Sequence, residues 1–166
     1  MTLGNWKRWL INVVIVIAIF LTVSTWQSRN LISQKKQAPP FQLLTITGLN
    51  VNLNDFRGQR VLLYFFAPWC KICDLSVSNL NWMRTILGED SIAILAVALS
   101  YNDLQSIKSF IERNDLEVPV LIGTPQIVNS YRINAFPSIY VVNETGEIYS
   151  STIGYTSILG LLLRTL

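Results

Sequence analysis

Residues 61–73 read VLLYFFAPWCKIC and join an apolar strand, a turn and a pair of thiols. The first part, 61–66, is an unbroken apolar run, which is typical of a central strand covered on both faces. Pro68 interrupts the run, and Cys70 and Cys73 then open a segment with helical spacing. The stretch therefore predicts a buried strand, a tight turn and a helix that begins at the thiols.

A Cys-x-x-Cys pair at the start of a helix has a definite chemical use. Unpaired backbone N–H groups and the helix dipole stabilise a thiolate on the first cysteine. The second cysteine lies nearly one turn further on and can close a disulfide with the first. This spacing predicts that Cys70 is the nucleophile and Cys73 the resolving thiol. Lys71 adds a positive charge that favours the thiolate, whereas Asp74 opposes it.

Two other roles for the thiols stay open at this point. They could form an unreactive buried pair, or they could capture a soft metal ion such as Cu(I). The sequence contains two cysteines and no histidine, which excludes Cys–His catalysis and any histidine-ligated metal. A structural zinc site usually needs four Cys or His ligands. We therefore predict no metal, and no cofactor other than a redox-active Cys70–Cys73 disulfide.

The N-terminal segment predicts a membrane anchor. Residues 9–26 read WLINVVIVIAIFLTVSTW, which is close to the roughly 20 residues that cross a bilayer. Tryptophan at both ends suits the two membrane interfaces. A cleaved signal peptide is the alternative, but residues 23–25 (VST) followed by a tryptophan form a poor cleavage site. We expect an uncleaved anchor that contacts lipid through residues 9–26.

The chain is thus divided into a membrane anchor at 1–26, a polar tether at 27–38 and a folded domain at 39–166. Basic residues lie on both sides of the apolar segment, but Lys7 and Arg8 are nearest to it, which favours a cytoplasmic N-terminus. The domain would then face the periplasm or the outside of a bacterial inner membrane. It is slightly acidic, so we expect no nucleic-acid partner.

The remaining segments alternate between strands and helices. We predict strands at 41–47, 51–53, 92–99, 118–122, 138–142 and 148–153, and helices at 70–87, 102–114, 124–131 and 157–166. Asn102 is the expected cap of the second helix. We expect one side of the first helix to carry Leu75, Leu80, Met83 and Leu87. The order of the segments predicts an α/β sheet of mixed direction with a late hairpin.

Together these segments resemble the thioredoxin superfamily, and most closely its bacterial membrane-anchored members of the TlpA type. The resemblance covers residues 39–166 and implies a thioredoxin fold, in which helices flank a mixed central sheet, with an N-terminal β extension. It also implies a thiol:disulfide oxidoreductase. The residues that carry it are 38–41 (APPF), 53–58 (LNDFRG), 61–73, 131–137 (YRINAFP) and 143–146 (NETG).

The resemblance also identifies an active-site loop around the thiols. It implies that Pro137 is cis and lies beside the cysteine pair. We interpret Trp69 and Phe136 as substrate-facing residues at the rim of the site. Lys71 and Ile72, between the two cysteines, complete the predicted loop.

Two acids found in relatives are missing here. Many thioredoxins have a buried acid six residues before the first cysteine, where this chain has Tyr64. Some TlpA-type reductases have a glutamate three residues after the second cysteine, where this chain has Ser76. Proton transfer at Cys73 must then use water, Tyr64 or a more distant group. The dipeptide between the cysteines matches neither thioredoxin nor the strong oxidants, so the redox potential stays open.

Three functions therefore compete. The first, which we favour, is an extracytoplasmic reductase or isomerase-like partner for selected protein disulfides, such as those of apocytochrome c or a metal-stress protein. A membrane or periplasmic electron donor would recharge it. The second is an oxidase that introduces disulfides into protein thiols. The third is a thiol module that binds metal or senses redox state without turnover.

Overall fold

The computed structural model describes residues 6, 8–16, 18–19, 35–88 and 91–165. The chain divides into two units, Met1–Asn30 and Leu31–Leu166. The described residues of the first unit are helical. Across all described residues, no helix combines the length and apolar character that a membrane crossing requires. Residues 20–34, which include the end of the predicted anchor and most of the predicted tether, lie outside the described residues. The boundaries between anchor, tether and domain therefore stay predictions.

The second unit begins with a small antiparallel hairpin. Its strands are β1 (Gln42–Leu44) and β2 (Asn50–Asn52), and a 3₁₀ turn at Leu53–Phe56 follows. The first strand is shorter than the predicted 41–47 because Thr45 already belongs to the turn, where its Oγ1 accepts the Leu49 N–H at 2.9 Å. The expected N-terminal β extension is confirmed.

A five-stranded sheet forms the centre of this unit. Its strands are β3 (Arg60–Phe66), β4 (Ile92–Ala98), β5 (Val120–Ile122), β6 (Ser138–Val142) and β7 (Ile148–Ile153). Their order is β5-β4-β3-β6-β7; β3, β4 and β5 are parallel, while β6 and β7 run antiparallel to their neighbours. The predicted mixed sheet and late hairpin are confirmed.

Strand β3 is buried on both faces, as its apolar run predicts. Leu62, Tyr64 and Phe66 lie in one core cluster, which also contains both cysteines. The alternate residues, Val61, Leu63 and Phe65, lie in a second cluster. Because side chains alternate along a strand, this pattern puts one layer of the core on each face of the sheet.

Among its described residues the unit also has five α-helices. They are α1 (Lys71–Ser76), α2 (Ser78–Leu87), α3 (Leu104–Arg113), α4 (Pro125–Ser130) and α5 (Ile158–Thr165). The predicted cap of α3 is wrong by one residue: Asp103, not Asn102, accepts the Ser106 N–H at 2.7 Å. An aspartate is an equally good cap.

The single helix predicted at 70–87 is in fact two. At the junction the Leu80 N–H donates to the carbonyl of Val77, three residues back, so the backbone winds more tightly there. This changes which side chains face the core. Leu80 and Met83 are buried, but Leu75 is 71% exposed, so the expectation that it shares their side of the helix is wrong. The predicted stop at Gly88 is confirmed by its φ of +75°.

Candidate active site

The two thiols lie at the start of α1, shortly after the end of β3. Cys70 is the N-cap residue of α1, with extended backbone angles, and its Sγ accepts the Cys73 N–H at 3.3 Å. The turn before it is closed by the Cys70 N–H, which donates to the Ala67 carbonyl at 3.0 Å. Both cysteines are free thiols. Cys73 is fully buried and Cys70 is 7% exposed, so solvent reaches only Cys70.

The loop before β6 lies against the first thiol. The Phe136–Pro137 peptide is cis, as the resemblance implies. The Phe136 carbonyl lies 3.7 Å from the Cys70 Sγ and accepts its S–H. Ser138 pairs with Phe65 of β3, which brings the end of this loop to the carboxyl end of the central strand. The cis bond is confirmed, and the residue before Pro137 contacts Cys70.

Aromatic side chains form the rim of the site. The Trp69 indole donates to the Ser100 carbonyl at 2.8 Å and meets the Phe136 ring edge-on, with centroids 5.9 Å apart. Trp69 nevertheless stays 64% exposed, and Ile72 is 47% exposed. Lys71 is exposed as well. The predicted loop residues thus present an apolar surface with one positive charge to the solvent around Cys70.

An open groove begins beside this rim. It has a volume of about 470 Å³ and is lined by Ser100, Tyr101, Gly123, Thr124 and Val128, among others. Ser100 is the residue whose carbonyl holds the Trp69 indole, so the groove and the rim are continuous. No local sequence pattern predicts this groove, because its lining comes from the ends of two strands and a short helix.

Tyr64 and Ser76, the two positions that lack an acid, meet next to Cys73. The Tyr64 hydroxyl lies 2.7 Å from the Ser76 Oγ and 3.5 Å from the Cys73 carbonyl oxygen. Burial raises the pKa of the Tyr64 hydroxyl. Burial, and then the hydrogen bond with Cys70, also raise the pKa of the Cys73 thiol. The Cys73 thiol is therefore fully buried, and none of the described carboxylates contributes to its pKa shift.

Two residues of the site were missed by sequence reasoning. Arg113, at the end of α3, donates to Asp74 Oδ1 at 2.8 Å and to the Pro68 carbonyl at 3.3 Å. Asn114 donates to the same carboxylate oxygen at 3.0 Å. Partial burial raises the pKa of Asp74, but hydrogen bonds from Asn114 and Arg113 outweigh it and keep that pKa below its usual value. The negative charge of Asp74, which would oppose a thiolate at the cysteines, is thus paired with Arg113.

No candidate metal centre is found in the described part of the chain: nowhere do three or more His, Cys, Asp or Glu side chains come close enough to share an ion. The cysteine thiols are the reactive groups that the site presents. Their arrangement suits thiol–disulfide exchange, because an accessible thiol and a buried one are held side by side at a helix start.

The chain is similar to known proteins in sequence and in fold. The chain matches the AhpC/TSA family over residues 35–151. It is 30% identical over 144 residues to the thiol-disulfide oxidoreductase ResA of Geobacillus kaustophilus, covering 85% of this chain and 82% of the relative. It is 28% identical over 155 residues to the thioredoxin-like protein YneN of Bacillus subtilis, covering 89% and 91%. The crystal structure of StoA from Bacillus subtilis is similar with a TM-score of 0.69 and 26% identity, over 78% of this chain and 98% of that one.

Proposed function

The chain belongs to the AhpC/TSA family, and on that premise we propose that it is a thiol–disulfide oxidoreductase that uses Cys70 and Cys73 on protein disulfides. Relatives named thiol-disulfide oxidoreductase agree with the predicted resemblance to bacterial TlpA-type enzymes. The main support from the site is the 3.3 Å hydrogen bond from the Cys73 N–H to the Cys70 Sγ. It aims a backbone donor at the sulfur of the one cysteine that solvent reaches, as expected for a nucleophile at a helix start.

The proposed reaction has two exchanges. The Cys70 thiolate attacks one sulfur of a substrate disulfide, a mixed disulfide forms and the other substrate sulfur leaves as a thiolate. Cys73 then attacks the Cys70 Sγ, which forms the Cys70–Cys73 disulfide and releases the second substrate sulfur. Two electrons pass from the enzyme to the substrate. Trp69 and Phe136 would hold the chain that flanks the substrate cysteine, with the adjoining groove as its path.

We favour reduction as the working direction. Strong disulfide oxidants are those whose reduced form is stabilised, as a low-pKa thiolate does. Burial raises the pKa of the Cys73 thiol, so this thiol adds no such stabilisation to the reduced form. An enzyme of this kind needs a donor to return it to the dithiol, and a membrane or periplasmic electron carrier would fill that role.

The location follows from the N-terminal sequence. We propose that residues 9–26 anchor the chain in the bacterial inner membrane and that the domain acts outside the cytoplasm. A thiol reagent that cannot cross the inner membrane tests this orientation in cells whose outer envelope is permeable and whose inner membrane is intact. Cys70 should be labelled without lysis. Labelling only after lysis would contradict the proposed orientation.

Cysteine substitutions test the roles in the reaction. With insulin as the disulfide substrate, Cys73→Ser should accumulate a mixed disulfide through Cys70, visible on a non-reducing gel and reversed by dithiothreitol. Cys70→Ser should accumulate none, because Cys73 is buried. The reverse pattern would exchange the two roles. Stoichiometric Cu(I) binding without any insulin reduction would instead support a metal-binding module.

A further inference from the structure

Ser100, two residues after the end of β4, has an unusual backbone conformation. Its φ is +49°, in the left-handed region that few residues other than glycine adopt. Such a conformation costs free energy and persists only where the surrounding structure enforces it, most often at functional sites. Because the Ser100 carbonyl accepts the Trp69 indole at the rim, this conformation has a direct consequence for the candidate site.

Contacts on both sides hold Ser100 in this conformation. On one side, the Leu99 N–H donates to the Phe66 carbonyl at 2.8 Å, which extends the pairing of β4 with β3 by one residue. On the other side, the Tyr101 hydroxyl donates to the Gly123 carbonyl at 3.2 Å, just after β5. The chain changes direction between these two contacts, and Ser100 is the residue at which it turns.

The turn at Ser100 aims its carbonyl at the rim of the site. That carbonyl accepts the Trp69 indole N–H at 2.8 Å. The same indole meets the Phe136 ring edge-on, with centroids 5.9 Å apart, and the Phe136 carbonyl lies 3.7 Å from the Cys70 Sγ. The indole thus bridges the loop after β4 and the loop before β6, next to the reactive thiol. One hydrogen bond and one ring contact hold a side chain that is otherwise exposed.

We propose that Ser100 is a positioning residue for substrate binding: its left-handed backbone holds the Trp69 indole in the orientation that receives the chain beside a substrate disulfide. This inference rests on the proposed reduction of protein disulfides. An indole that is already fixed spares the substrate the cost of ordering that side chain, so it improves binding without altering the chemistry at Cys70.

The residue type at position 100 matters through the backbone conformation that it permits, because the group that holds the indole is a main-chain carbonyl. Glycine adopts a positive φ freely, alanine does so at some cost, and a β-branched residue is a genuine outlier there. The series Ser100→Gly, Ser100→Ala and Ser100→Val therefore loosens the carbonyl step by step at a single position.

Insulin reduction by the 166-residue chain in detergent, recharged by dithiothreitol, tests this role. Ser100→Gly should have the KM nearest to that of the parent chain, and Ser100→Ala and Ser100→Val should raise it in that order. The rise should be several-fold in Ser100→Val, as loss of one hydrogen bond implies, with a much smaller change in kcat. Trp69→Phe keeps a ring without the N–H donor and should raise the KM to a similar extent. Combining Trp69→Phe with Ser100→Val should add nothing further, since both changes break the same hydrogen bond.

The indole signal of Trp69 shows whether the hydrogen bond itself is affected. In the ¹⁵N-labelled chain the five tryptophans each give an indole N–H signal in an NMR spectrum, and the signal that disappears in Trp69→Phe belongs to Trp69. That signal should shift in Ser100→Val and stay near its original position in Ser100→Gly. A merely structural role for Ser100 would not produce this pattern.

Three results would overturn the inference alone: an unmoved Trp69 signal in Ser100→Val, equal KM values in Ser100→Gly and Ser100→Val, or additive effects in the double variant. If Ser100→Val does not fold, the KM of Trp69→Phe decides, and an unchanged value overturns the inference. A parent chain that reduces no insulin would overturn the proposed function together with it.

Discussion

Arg113, the last residue of α3, binds Asp74 of α1 through a 2.8 Å ion pair and so ties a remote helix to the one that carries both thiols. The same guanidinium donates to the Pro68 carbonyl in the turn before Cys70 and lies 5.4 Å from the centre of the Phe110 ring. The pair therefore fixes the turn and neutralises the acid next to Cys73 in one contact.

The first prediction concerns that charge. Arg113→Gln leaves the Asp74 carboxylate without its cation beside α1, so attack by Cys70 on dithiobis(nitrobenzoate) should slow several-fold at low salt. The double variant Arg113→Gln with Asp74→Asn should recover most of the rate, since the opposing charge is gone. An equal loss in both variants would mean that Arg113 acts through packing alone. Added salt should reduce the difference in rate between Arg113→Gln and the parent chain, because Arg113 is half exposed and salt screens its charge.

The second prediction concerns acid stability. The pKa values of Asp74 and Glu144 are both lowered in the folded chain; partial burial opposes the shift at Asp74, and a backbone hydrogen bond is the largest cause at Glu144. A carboxylate whose pKa is lower in the folded than in the unfolded chain stabilises the fold at pH values above its unfolded pKa of about 4. This stabilisation is lost as the pH falls through the folded pKa. Urea unfolding should therefore give a constant midpoint from about pH 7 to 5 and a falling one below about pH 4.

The variant Asp74→Asn with Glu144→Gln checks this pH dependence. This double variant should be less stable than the parent chain at neutral pH. Its urea midpoint should also fall less on acidification than that of the parent chain. Glu112→Gln, on the exposed side of α3, serves as the control. If the parent and the double variant lose stability in parallel below pH 4, these two carboxylates do not set the acid limit.

The third prediction concerns Tyr131, which links the aromatic core to the start of the domain. Its hydroxyl donates to the Pro39 carbonyl at 2.7 Å, and its ring packs 5.0 Å from that of Phe65. Tyr131→Phe should cost about 1–2 kcal/mol in the free energy of unfolding, because the partly buried Pro39 carbonyl loses its donor. Urea titration measures this. Tyr149→Phe, at a half-exposed position on β7, should cost almost nothing, and neither change should slow the thiol reaction.

What could be predicted from the sequence depended on local signals. The apolar run of β3, the cap position of Cys70 and the loop at Pro137 are all encoded in neighbouring residues. Leu75 was misplaced because a tightened turn at Val77 rotates the faces of the two helices. Arg113 was missed because its partner lies far away in the chain, and no periodicity reports such a contact.

The fourth prediction concerns substrate contact at Trp69. Its indole is anchored to Ser100 but remains 64% exposed, so its ring can meet a substrate chain without supporting the core. Trp69→Ala should lower kcat/KM for insulin about tenfold, as expected for loss of an exposed aromatic anchor, while reaction with the small disulfide of glutathione changes little. Trp82→Ala is the control, since this side chain on α2 is 59% exposed and should affect neither substrate. An equal loss with both disulfides would place Trp69 in the support of Cys70 instead.

The fifth prediction concerns the redox potential, which decides the direction of the reaction. Burial raises the pKa of the Cys73 thiol, so this thiol gives the reduced form none of the thiolate stabilisation that marks strong oxidants. Equilibration with dithiothreitol buffers, followed by thiol counting, should give a potential near that of thioredoxin, about −270 mV. A value near −120 mV would make the protein an oxidase. Introducing a cation beside the buried thiol, as in Ser76→Lys, should stabilise the thiolate and move the potential upward, whereas Ser78→Lys at the start of α2 should leave it unchanged.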